Sequence, residues 1–123
     1  MRRLGDLEAA IMDVMWAADG ALPVREVVAR IREDRDVAYT TVQTVMDILF
    51  RKEWVDRELK RRAYLYWAKA SREDYVAGLM AGALDESSDR TAALARFVER
   101  MDQAEVDELR SLLDAARSGE SVT

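Results

Sequence analysis

The residue periodicity changes abruptly after Lys52, and that change limits the available folds more than any other feature of the chain. Over residues 39–52 the apolar side chains Val42, Val45, Met46 and Leu49 recur at i, i+3, i+4 and i+7, the stripe of a helix with one buried face. Residues 54–59 and 63–68 are instead β-prone runs, hinged on Lys60-Arg61-Arg62. Thr40, Thr41, Gln43, Thr44 and Asp47 are left on the opposite face of the helix. A helix led by small polar side chains, beside a basic two-stranded tip, has the layout of a winged helix-turn-helix. Such a helix fits a major groove while the tip straddles phosphates.

Two helices precede this segment. Residues 6–18 carry Leu7, Ile11, Val14 and Met15 at helical spacing and end at Asp19-Gly20. After a short extended link, Ala21-Leu22-Pro23, a second helix is expected over residues 24–35, burying Val27, Val28 and Ile31. The fold class is therefore mainly α, an N-terminal winged helix-turn-helix of three helices plus a β-hairpin wing. The expected domain boundary gives residues 1–70 to this DNA-binding domain and residues 71–123 to a helical dimerisation module.

That module begins at Ser71, an N-cap with an acid three residues on, and continues past the polar break Asp85–Asp89 to a second capping box, Asp102-Gln103-Ala104-Glu105. A frayed tail is expected from Ser118. Its three short amphipathic helices carry Tyr75, Leu79, Leu84, Leu94, Phe97, Val98, Val106, Leu109, Leu112 and Leu113. A piece this small closes no core of its own, so these faces are expected to pair with a second copy of the chain. Packing on the winged domain is the plainer alternative.

Composition excludes most chemistry. The 123 residues include no cysteine and no histidine, which rules out disulfides, thiolate or imidazole metal sites and Cys- or Ser-His-type nucleophilic catalysis. The 24 acidic residues are spread over helical faces without a distinct pair. Neither an enzyme nor a cofactor is expected. No apolar run approaches the ~20 residues needed to cross a bilayer, and the first residues carry no apolar signal core. A cytoplasmic protein without membrane partners is expected.

The net charge of −5 is unevenly distributed. Residues 25–72 carry a local +4 and residues 73–123 a local −7. The basic surplus coincides with the winged motif, so the acidic average is compatible with binding double-stranded DNA. Gln43 suits bidentate pairing with adenine, and a threonine methyl suits the thymine methyl. Arg57, Lys60, Arg61 and Arg62 have the place of phosphate ligands, with Arg25 a further one at the start of the second helix. Trp54, Tyr64, Tyr66 and Trp67 are expected to pack over the core rather than form a stacking platform for single strands.

The chain resembles the penicillinase and methicillin-resistance repressors, a family that includes copper-responsive members. LGDLEAAIMDVMWAADG is similar to its first helix, VREVVARI to its second and AYTTVQTVMDILFRK to its recognition helix; RAYLYWA is similar to the wing's return strand and RFVERMDQAEVDELRSLL to the C-terminal dimer helices. The resemblance implies a homodimeric repressor of palindromic operators rich in TACA/TGTA steps. It places the family's base and backbone contacts on Thr40, Thr41, Gln43 and Thr44, and the wing contact on Arg62. It also implies release linked to a cell-wall or β-lactam sensor, whose associated protease cuts an Asn-Phe bond in several members. Arg96-Phe97 occupies that place here, Ile48 stands for a frequent arginine and Glu53 for a frequent glycine. The cysteines of the copper-responsive branch are absent. Two other readings compete: release by a small apolar effector among Tyr75, Leu79, Met80 and Phe97, and an adaptor that binds proteins rather than DNA.

Overall fold

The computed structural model describes residues 4–119. Residues 1–3 and 120–123, which include the end of the expected tail, lie outside the described residues. The elements are α1 (Asp6–Ala17), β1 (Leu22–Pro23), α2 (Val24–Ile31), α3 (Tyr39–Arg51), β2 (Val55–Lys60), β3 (Ala63–Ala68), α4 (Arg72–Asp85), α5 (Arg90–Glu99) and α6 (Gln103–Arg117). Three helices with a terminal hairpin form a winged helix, as expected. No helix among the described residues is long and apolar enough to cross a membrane.

The core of the first unit is built from the helical stripes. Ile11, Met12 and Met15 of α1, Val27, Val28 and Ile31 of α2, and Val42, Met46 and Leu49 of α3 are buried together with Trp54, Val55 and Tyr66. Each such side chain contributes roughly 1.5–3 kcal/mol when fully buried. Turning α3 by one residue would expose part of this set and drive polar groups inward, so the same packing that holds α3 fixes its Thr/Gln face outward. In α1, Met12 is fully buried along with Ile11, whereas Leu7 and Val14 are only half-buried.

The end of α3 is a Schellman motif. The amide of Glu53 donates to the carbonyl of Phe50 at 3.0 Å, and that of Trp54 donates to Leu49 at 2.9 Å. Glu53 takes φ 66°, the left-handed geometry usually given to glycine. The turn into the wing therefore keeps a glycine-like shape although glutamate occupies it.

Two elements differ from the sequence expectation. Helix α2 stops at Ile31 rather than near residue 35. Beyond Ile31 the chain has no apolar residue to bury before Val37, and the Arg32 guanidinium donates to the Val37 carbonyl at 3.1 Å, turning the backbone out of the helix. The link before α2 is also more than a link. Leu22 pairs with Tyr66 and Pro23 with Leu65, making β1 the edge of an antiparallel three-stranded sheet in the order β1-β3-β2. Pro23 lacks an amide donor, which an edge strand tolerates.

The compact units divide within α4, between Met80 and Ala81, beyond the expected boundary at residue 70. Tyr75, expected on the dimerisation face, packs in the first unit. Its ring lies 5.7 Å from Trp16 and 5.2 Å from Trp54, and its hydroxyl accepts from the Leu4 amide at 3.1 Å. Within the second unit the Asp89 carboxylate caps α5, accepting from the Ala92 amide at 3.0 Å. Asp102 and Glu105 form the expected capping box of α6. No residue of α5 or α6 is buried, and Leu94, Phe97, Val98, Leu112 and Leu113 are exposed.

Candidate nucleic-acid interface

The N-terminus of α3 has no side-chain cap, since Ala38 occupies the cap position. Its positive dipole end is thus not neutralised by a side-chain cap, a setting that suits a phosphate. Thr40, Thr41, Gln43 and Thr44 are all exposed, as the helical period requires of positions opposite Val42 and Met46. They are not equivalent. The Thr44 hydroxyl donates to the Thr40 carbonyl at 2.9 Å, which turns its polar group back onto the helix. Gln43 lies on the flank toward the sheet and lines a cleft of about 320 Å3 with Pro23, Arg25, Tyr39, Arg62 and Tyr64.

That cleft joins three separate stretches of sequence: the start of α2, the start of α3 and the wing. Arg25, Lys60 and Arg61 line an adjoining hollow with Pro23, Ala63 and Leu65. No carboxylate lies within ion-pair distance of Arg25, Lys60, Arg61 or Arg62 among the described residues. Four cations without ion-pair partners, at the start of α2 and on the wing tip, create a local positive field in an acidic chain.

The wing tip is strained. Lys60 pairs with Ala63 in the hairpin, which leaves Arg61 and Arg62 as a two-residue turn with φ 49° and 71°. This type of turn favours Asn-Gly, and a side chain with φ in this region costs of order 1 kcal/mol or more. Two successive arginines are a poor choice for the turn, and they concentrate positive charge at the tip.

Arg57 does not behave as expected. Instead of reaching solvent as a phosphate ligand, its guanidinium donates to Asp47 Oδ1 at 3.0 Å and to the Tyr66 hydroxyl at 3.3 Å. It also lies 3.9 Å from the Phe50 ring centroid and 4.1 Å from that of Tyr64. The hydrogen bond to Tyr66 holds its pKa above the usual arginine value, with desolvation acting against it and the bond to Asp47 adding to it. Asp47 accepts a second ion pair from Arg51 at 2.8 Å. Arg57 thus fastens β2 to α3. The sequence offered one sign of this: an arginine placed among aromatics in a hairpin finds ring faces within reach. Of the four aromatics expected to cover the core, Trp54 and Tyr66 are buried, while Tyr64 and Trp67 stay on the surface.

The family model described as the penicillinase repressor matches residues 4–115. The chain belongs to the penicillinase repressor family. A transcriptional regulator BlaI from Mycobacterium tuberculosis is 42% identical over 122 residues, covering 97% of this chain and 88% of that protein. Among solved structures, the DNA-binding domain of the repressor BlaI superposes with a TM-score of 0.53 at 22% identity, covering 61% of this chain and 94% of the other. The Bacillus licheniformis BlaI monomer in complex with the blaP half-operator gives a TM-score of 0.51 at 22% identity, covering 60% and 89%. These likenesses show the winged-helix fold, and membership of the family makes the chain a transcriptional repressor rather than an enzyme.

Proposed function

We propose that the protein represses transcription as a homodimer on palindromic operator DNA, each copy placing α3 in a major groove and its wing on the neighbouring phosphates. The observation that carries this reading is the cleft joining Gln43 of the helix face to Arg25 and Arg62. A base-reading amide and two phosphate-seeking cations face the same concavity, the combination that a groove edge requires. Half-sites about one helical turn apart would suit two such copies. The half-operator complex of the Bacillus relative is consistent with one monomer reading one half-site.

The second copy would cover Leu94, Phe97, Val98, Leu112 and Leu113. These apolar residues lie on well-capped helices and have no cover within their own unit. Repression would end when this contact is broken, because two weakly bound half-sites lose their joint affinity once unlinked. A sensor-linked protease acting at Arg96–Phe97 would do this. The bond lies inside α5, so the helix must unwind locally before a protease can hold it extended.

The test is selection of duplexes from a random pool by the purified protein, followed by titration of the selected site with salt. A two-fold symmetric sequence is expected, with affinity falling steeply as salt rises. Gln43→Ala should relax preference at one base pair and leave nonspecific binding nearly unchanged. Failure to enrich any sequence would overturn the reading in favour of the adaptor.

A further inference from the structure

The outward face of α3 is not uniformly polar. Ile48 is 37% exposed, on a helix whose other apolar residues from Val42 to Phe50 are buried or half-buried. Thr41, Thr44 and Ile48 stand at i, i+3 and i+7, one line along the flank opposite the one on which Gln43 meets the wing. Because the Thr44 hydroxyl is turned onto the Thr40 carbonyl at 2.9 Å, this residue presents mainly its methyl. Next to it, Asp47 is held by Arg51 at 2.8 Å and Arg57 at 3.0 Å, and so does not project toward a bound ligand. The middle of the reading helix therefore ends in a narrow strip of methyl groups.

In a major groove one group matches such a strip: the 5-methyl of thymine, the apolar feature among the base edges. We propose that Ile48 is a specificity-determining residue that reads a thymine methyl within about two base-pair steps of the pair met by Thr44. The proposal rests on the operator-binding reading above and extends it to a residue with no polar group. Four residues of helix rise about 6 Å, close to two base-pair steps of 3.4 Å, so the two methyl-reading positions fall within about two steps of each other.

The experiment replaces each thymine of the selected operator by uracil in turn, which removes the methyl and keeps every hydrogen-bonding group. Wild-type protein should lose roughly three- to ten-fold in affinity at the thymine facing Ile48, as expected when one buried methyl is lost. Ile48→Ala, a surface change, should bind the thymine and uracil operators equally at that position, and Ile48→Val should regain most of the difference. Wild-type indifference to uracil at every position would overturn the proposal, as would an Ile48→Ala protein that keeps the full discrimination. Those results leave the operator affinity itself intact. Absence of any selected operator would instead remove the reading on which the proposal stands.

Discussion

Arg57 of β2 is bonded to Asp47 of α3 at 3.0 Å, and this pair is a direct link between the wing and α3. The guanidinium also lies between the Phe50 and Tyr64 rings, at 3.9 and 4.1 Å, with its side chain only 20% exposed. A charge held in this way positions other groups and is not available to a phosphate. Arg57→Ala is expected to destabilise the fold by roughly 1–3 kcal/mol, combining a lost charge-assisted hydrogen bond with lost ring contacts. Arg57→Lys should recover little, because an ammonium cannot fork between Asp47 and Tyr66 while covering two rings. Chemical denaturation measures the loss. A variant as stable as the wild type would show that the link carries no load.

At Glu53 the backbone adopts φ 66° to complete the Schellman turn that leads into the wing. Its carboxylate meets Lys69 at 3.4 Å, but both side chains are largely exposed, and such a pair contributes little. Glycine would adopt this geometry without a Cβ penalty. Glu53→Gly is thus expected to raise stability by roughly 0.5–1 kcal/mol, read as an upward shift of a few degrees in Tm. A fall in Tm would mean that the added chain entropy of glycine, or the Lys69 contact, outweighs the relief of strain.

The sequence made the helices of the first unit legible because Val42, Met46 and Leu49 repeat at a period that one buried face requires. It made the wing legible through two β-prone runs about a basic hinge. It did not disclose β1, since two residues have no period, and Leu22 becomes a strand only because Tyr66 lies opposite it. Nor did it locate the end of α2, where polar residues after Ile31 continue a helical charge pattern without anything to bury. The Arg57 role was hidden for a related reason. Charge near a turn reads as solvated, and only tertiary packing brings Asp47, Phe50, Tyr64 and Tyr66 around it. The cleft that gathers Arg25, Gln43 and Arg62 is likewise a product of three elements far apart in sequence.

The wing tip should separate stability from binding. Replacing Arg61→Asn and Arg62→Gly together supplies the residues that a turn with φ 49° and 71° favours. Thermal unfolding should show a gain of about 1 kcal/mol or more. Operator affinity should fall at the same time, and the slope of log affinity against log salt should flatten by nearly two if both arginines contact phosphate. If stability and affinity rose together, the arginines would have no part in holding DNA.

Leu113 is 56% exposed and sits on α6, whose capping box makes the helix well formed without it. An aspartate there is tolerated by a free helix but not by an apolar interface, where an unpaired buried carboxylate costs several kcal/mol. If the proposed homodimer forms through this face, Leu113→Asp leaves helical content unchanged while converting the dimer into a monomer in sedimentation. Operator binding should weaken by orders of magnitude as the two half-sites become unlinked, whereas binding to an isolated half-site should stay the same. A variant that sediments as the wild type does would place Leu113 outside the contact between copies.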